Sequence, residues 1–216
     1  MSHPTSRIRD NDLMQAIAGE RRDEVAMLAA LPADAWDAPT LCAGWRVREV
    51  VAHQTMPFRY SGRRFALELL KAGGRFDRMA DHVARRDAGS MSPAELLAAL
   101  ADNVDHGWKP PGGGLAGALT HDVIHGLDIT VGVGVQRSVP PDRLMIALEQ
   151  VTSRRRNPFG VDLDGICLQA DDLDWTFGSG TPLSGAAQDL LLVYCGRTLP
   201  PGHLRGQAGA RFAREK

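Results

Sequence analysis

The chain has 216 residues, 44% of them hydrophobic and 24% charged, enough to bury a sizeable core as one domain or as one domain with a small appendage. A net charge of -1 excludes the electrostatic footprint of a nucleic-acid or anionic-membrane binder, so neither is expected as a partner. No apolar run reaches bilayer length, and the stretch MSHPTSRIRD lacks the apolar centre of a secretory signal, which reads as a cytoplasmic protein.

Positive charge is almost all arginine, with lysine only at Lys71, Lys109 and Lys216, a bias that fits a GC-rich, actinobacterial genome. Cys42, Cys167 and Cys195 are odd in number and widely spaced, so they suggest neither a disulfide framework nor a CxxC metal knuckle. Cys167 and Cys195 lie in apolar runs and read as small buried hydrophobes; Cys42, in a loop before Trp45, is the one to test as a reactive thiol.

The first half predicts amphipathic helices. From Asp10 to Leu31 the apolar positions Leu13, Ile17, Val25, Leu28 and Leu31 recur at helical spacing, arginines and acids fill the other face, and Pro32 ends the run. A loop through Asp37, Pro39, Thr40 and Gly44 leads to a second helix from Trp45 to Gly74, which Pro57 should bend or break one turn after His53. A shorter helix is expected from Arg75 to about Arg86. Ser92, Pro93 and Glu95 then stand as N-cap, N1 and N3 of another, which stops before the Pro- and Gly-rich loop from Lys109 to Gly114.

A helix starting near Leu115 carries His121 and His125, and one from Pro141 to about Arg155 follows the glycine-interrupted VGVGV. Past Asn157 the pattern changes. GICLQA and LDWTF, separated by Asp171 and Asp172, read as a short β-hairpin, and SGAAQDLLLVYCGR as a final helix. The tail from Leu199 to Lys216 has no apolar period and reads as extended or frayed. The expected fold is mainly α: an antiparallel four-helix bundle over residues 1–157, with a small α+β appendage of hairpin, helix and tail over 158–216.

The chemistry resides in three histidines. His121 and His125, four apart on a helix, project from nearly one face, and His53 on a facing helix would complete a three-nitrogen metal site with one position open, as catalytic metals need. Neutral imidazoles suit zinc, nickel or iron, and such an ion activates water or a thiol. An HxxxH pair is by itself a weak signal, since helical histidines are more often capped or exposed. The residues between are Asp122, Val123 and Ile124, not the glutamate of HExxH, which disfavours a zincin-type protease. His3, His82, His106 and His203 read as solvated or capping groups.

The stretch WDAPTLCAGWRVREVVAHQT, the motif HDVIHGLDI and the C-terminal LQADDLDWTFGSGTPLSGAAQDLLLVYCGR together resemble the mycothiol-dependent maleylpyruvate isomerase family, the actinobacterial branch of the DinB-like metal-binding superfamily. The resemblance implies a DinB-like four-helix core holding a divalent metal, zinc first and nickel or iron next, on His53, His121 and His125. The isomerases proper tend to carry glutamate in place of His121, so this ligand set is neutral and points away from maleylpyruvate itself.

The implied activity is that of a transferase or isomerase in which a low-molecular-weight thiol, mycothiol by resemblance, attacks an electrophilic small molecule. A hydrolase with activated water and a non-catalytic bundle that binds metal or a small ligand are the alternatives. Asp128, three residues after His125, is a candidate acceptor for an imidazole N–H and is grouped with the catalytic residues. Arg59 as a catalytic residue and Arg63 as a cofactor-binding one, with Arg64, lie within three turns of His53, where guanidinium groups could hold carboxylates. Arg197 is the catalytic candidate that the family pattern adds. Trp45 and Trp175 read as packing, and the assembly as monomer or homodimer.

Overall fold

A computed structural model describes residues 8–153 and 157–214. The expected helix end at Arg155 and the terminal His3 lie outside the described residues. The helices are α1 (Asp10–Ala30), α2 (Val47–Arg59), α3 (Gly62–Lys71), α4 (Phe76–Ser90), α5 (Pro93–Ala101), α6 (Gly114–Val133), α7 (Pro141–Thr152) and α8 (Ala187–Tyr194). The strands are β1 (Ile166–Ala170), β2 (Thr176–Gly178), β3 (Thr181–Gly185) and β4 (Leu204–Arg205).

Helices α1, α2, α5 and α6 form the four-helix bundle, with α4 laid on α2 and α7 on α6. The expected capping at Ser92 holds: Glu95 N donates to Ser92 Oγ at 3.3 Å and Ser92 N to Glu95 Oε2 at 2.8 Å. Among the described residues, no helix is long and apolar enough to cross a membrane.

The single long helix expected from Trp45 to Gly74 is two. Pro57 stays inside α2, and the chain leaves the helix at Tyr60, where Ser61 caps α3 by accepting from Arg64 N at 3.3 Å. A proline removes the N–H that would meet the carbonyl of His53, and the strained turn ends the helix within one further turn. His53 therefore sits less than two turns before a helix break, beyond which α3 packs on α4.

The hairpin appears as expected, β1 and β2 pairing antiparallel with Leu168 opposite Phe177. The sheet is larger than a hairpin, however: β3 pairs parallel to β1, β4 joins β3, and the strand order is β2-β1-β3-β4. Over its described residues, 199–214, the tail is neither extended nor frayed. Leu199 N donates to Phe212 O at 2.7 Å and Arg214 N to Leu199 O at 2.8 Å, across a 3₁₀ turn from Gln207 to Phe212. Leu199 and Phe212 are buried there, and about 2 kcal/mol from each such side chain is enough to hold a short tail in place. Leu168 and Leu183 of the sheet share one apolar cluster with Leu190 and Leu191 of α8, Leu119 of α6 and Leu148 of α7, so sheet and bundle bury a common core.

The polar face expected for α1 is partly interior. Glu20, Arg21 and Glu24 are fully buried, whereas Val25 and Leu31 are only half-buried. Leu13, Ile17, Glu24 and Leu28 fall on one helical stripe, so the charges continue the core-facing side of the helix.

Candidate metal centre

His53 comes from the middle of α2, where Val47, Val50 and Val51 bury the helix against the bundle. His121 and His125 lie one turn apart on α6, and the three rings converge: centroids are 5.1 Å apart for His53 and His121, 5.0 Å for His53 and His125, and 4.7 Å for His121 and His125. One ligand atom from each lies within 4.8 Å of the others, and His53 Nε2 faces His121 Nε2 at 3.2 Å. Two nitrogens bound tetrahedrally at 2.0–2.1 Å stand about 3.3 Å apart, so the spacing already matches that of a shared ion.

The outer nitrogens are held by carboxylates. His121 Nδ1 stands 3.0 Å from Asp122 Oδ1, and His125 Nδ1 3.1 Å from Asp128 Oδ2. An ionised carboxylate only accepts, so both Nδ1 atoms carry the proton and both Nε2 atoms present a lone pair inward. Burial, then the neighbouring His125 and His121, push the His53 pKa well below its ordinary value. Burial also lowers His125, against the pull of its bond to Asp128. Imidazoles held in this orientation are what a divalent ion of the zinc type requires, and the donor set fits it. His53 Nδ1 is buried and has no hydrogen-bond partner.

Behind each α6 histidine stands an ion pair. Asp122 takes Arg21 Nε at 2.8 Å on its second oxygen, and Arg21 Nη1 donates to His106 O at 2.7 Å. Asp128, fully buried, takes Arg197 Nε at 2.7 Å and Arg197 Nη2 at 2.9 Å, and also accepts from Cys42 Sγ at 2.9 Å. Burial raises the Asp128 carboxyl, and the Arg197 and His125 bonds overcome it and hold the pKa at about 2.

Cys42, His125 and Asp128 also form a cluster of metal-ligand type. The Arg197 guanidinium 3.4 Å from Cys42 Sγ repels a cation there, and burial and the Asp128 charge push the thiol up, so the cluster supports His125 as a hydrogen-bonded unit. The thiol of Cys42 is thus kept protonated, which disfavours it as a nucleophile.

The other predicted residues separate. Arg197 lines a cavity of about 510 Å³ that opens onto His121 and His125. Arg59 is turned from the histidines, its Nη1 on Asp87 Oδ2 at 2.6 Å and its Nη2 on Ala52 O at 2.8 Å. Arg63 is exposed on α3 and outside the walls of the cavities at the histidines. Arg64 lies on the Tyr60 ring, 3.8 Å from its centroid. A second cavity, of about 450 Å³, opens onto His53 and His121.

Residues whose roles sequence reasoning missed are Arg21, Asp122 and Trp108, whose ring meets the His121 ring edge-on at 5.3 Å. Asp122 carried a signal, a charge beside a histidine on an otherwise apolar helix. Trp108, in a loop, carried none. Trp45, read as packing, tilts over His53 at 5.2 Å and donates to Asp81 Oδ1 at 2.7 Å.

Fold and site together define a helical-bundle protein with a candidate three-histidine metal centre. Residues 17–109 match the family model described as the mycothiol maleylpyruvate isomerase N-terminal domain. Two solved structures are similar along most of the chain: the mycothiol-dependent maleylpyruvate isomerase, at a TM-score of 0.59, and its histidine-to-alanine variant, at 0.61. Each shares 12% identity with this chain, covering 94% of both, a likeness of fold. No curated protein matches the sequence.

Proposed function

We propose that the protein is a metal-dependent enzyme that uses a low-molecular-weight thiol, mycothiol in the family it matches, as nucleophile towards an electrophilic small molecule. The observation that carries the reading is the convergence of His53, His121 and His125, with the two α6 rings oriented by Asp122 and Asp128. The family's maleylpyruvate isomerase name supports the thiol, and the neutral three-histidine set argues for a substrate other than maleylpyruvate.

His53, His121 and His125 would hold the divalent ion, zinc being the best match to three imidazoles. A metal there supplies Lewis acidity that keeps a thiol deprotonated at neutral pH. Asp122 and Asp128 fix the tautomers, so no imidazole need reorganise as charge develops. Arg21 and Arg197 hold those carboxylates in place by their hydrogen bonds. Trp45 and Trp108 pack against the rings and exclude water from two sides.

The thiolate sulfur forms a bond to the electrophilic carbon. In a transfer the leaving group departs with the electron pair of its bond to that carbon; in an isomerisation the sulfur adds to a conjugated carbon–carbon double bond whose π pair moves onto the adjoining electron-withdrawing group, rotation follows about the resulting single bond, and the pair returns as the carbon–sulfur bond breaks and the thiolate is regenerated.

Metal analysis of the purified protein tests the first half, with about one divalent ion per chain expected and its loss expected in His53→Ala. A thermal-shift titration with mycothiol against an unrelated thiol tests the second, with stabilisation expected only from mycothiol and only when metal is present. Full metal content in His53→Ala, or equal shifts from both thiols, would overturn the reading.

A further inference from the structure

The cavities at the histidines differ in chemistry. They share His121, Phe76, Pro110 and Pro111, so the two prolines and Phe76 stand between them while the imidazole belongs to both. The cavity on the α6–α7 side sets Asp77, Thr120, Gln150 and Arg197 among apolar walls that include Ile124, Val151 and Phe159. The cavity on the α2–α3 side is walled by Met56, Tyr60, Phe65, Phe76 and Trp108, with Lys109 at an exposed position as its one formal charge.

Cations close to that second cavity are already engaged. Arg59 is bound to Asp87, Arg64 lies on Tyr60, and Arg86 pairs with Glu68 at 3.1 Å and with the Tyr60 hydroxyl. A dicarboxylate entering here could set one carboxylate towards an ion held by His53 and His121, but its second would lose its hydration and meet only one solvent-facing ammonium, which leaves a desolvated charge uncompensated. An aromatic or otherwise apolar body meets four aromatic side chains and a thioether, and about 450 Å³ is room for a molecule of one or two rings.

We infer that the α2–α3 cavity binds the electrophile, that this electrophile is an apolar, uncharged or singly negative molecule, and that Phe65 and Trp108 set the preference. The α6–α7 cavity, with its carboxylate and amide, is left for the hydroxyl-rich thiol. Naming the ligand an electrophile rests on the thiol-enzyme reading above; its binding does not, and it is measured without thiol.

Calorimetric titration with 1,3-dinitrobenzene, an unreactive aromatic probe, and with maleate, a dicarboxylate of similar size, separates the cases. Dinitrobenzene is expected to bind and maleate not to. Phe65→Ala and Trp108→Ala should each weaken dinitrobenzene at least tenfold, with circular dichroism unchanged, while Gln150→Ala in the other cavity leaves it unchanged. Phe65→Leu, which keeps most of the wall, should recover most of the affinity and guards against a folding defect. Tighter binding of maleate, binding of neither probe, or an affinity indifferent to Phe65 and Trp108 would overturn the inference. Lack of turnover with mycothiol would instead sink the thiol-enzyme reading and leave this one standing.

Discussion

Arg197, just beyond α8, reaches the buried carboxylate of Asp128 on α6 with two parallel bonds, Nε at 2.7 Å and Nη2 at 2.9 Å. The C-terminal segment thereby fixes the group that orients His125, and the sheet-bearing end of the chain supports the three-histidine cluster. A bidentate guanidinium–carboxylate pair is among the stronger and more directional contacts available.

Replacing Arg197 by Met leaves Asp128 as a buried charge with its main partner gone. Loss of about 3–5 kcal/mol is expected at pH 7, read from urea unfolding of wild type and variant. In the wild type Asp128 is held at about 2, below its ordinary 3.8, so its contribution is present above pH 3.8 and fades as pH falls towards 2. The gap between the two proteins should therefore shrink below pH 4. A gap as wide at pH 3 as at pH 7 would show that the missing side chain acts through packing alone.

Asp122→Asn tests the other support. Asn can present an N–H to His121 Nδ1, which drives the proton onto Nε2 and removes the inward lone pair. Metal affinity should fall by about 10–100-fold, measured by competition with a chromogenic chelator. Arg21→Met should weaken metal binding less and stability more, because it acts on His121 only through Asp122. Equal metal affinity in Asp122→Asn and wild type would remove Asp122 from the site.

Glu24 gives a pH dependence of the opposite sign. Burial is the main cause that raises its pKa from the ordinary 4.5 to about 8, with Gln54 Nε2 its hydrogen-bond donor at 3.0 Å. Between pH 4.5 and 8 the folded protein keeps a proton that the unfolded chain has lost, so stability is full below pH 4.5 and declines as pH rises towards 8. The slope from this group approaches about 1.4 kcal/mol per pH unit inside that window. Glu24→Gln should flatten the profile and be more stable than wild type at pH 8. Parallel profiles for the two proteins would refute it.

The histidines were legible because helical spacing is a geometric fact: residues four apart on α6 share a face wherever α6 lies, and the family motif supplied the partner on α2. Their carboxylate support was half legible, Asp128 by its spacing from His125, while Asp122 looked like an ordinary polar position. Arg21 and Glu24 were read onto a solvent face because charge usually marks one. Their place on the Leu13–Ile17–Leu28 stripe was the available signal, outweighed by residue type. Arg59 could not be assigned, since Asp87, its partner, lies 28 residues further on, and only tertiary structure brings them together. Strand β3 was missed because SGAAQDLLLVYCGR, which holds its last residues Ser184 and Gly185, read as helix from its start, yet its parallel pairing with β1 fixes the sheet.

Gly132 on α6 carries the last prediction. A Cβ there would stand 2.6 Å from Thr40 Cα and 2.9 Å from Pro39 O, both backbone, so no side-chain rotation relieves the clash. That same loop is stitched to the helix one turn earlier, where Leu41 N donates to Asp128 O at 3.0 Å, and it brings Cys42 to the Asp128 carboxylate. Gly132→Ala gains up to about 1 kcal/mol in helix propensity and loses more by overpacking, about 1–3 kcal/mol, so net destabilisation is expected. Gly89→Ala on α4 meets nothing within 4 Å and should be neutral or stabilising. Metal affinity should fall with Gly132→Ala and not with Gly89→Ala, because displacing the loop loosens the bonds that hold His125. Thermal unfolding and chelator competition on the two variants measure both effects, and equal behaviour of the pair would mean that the loop contact does not support the site.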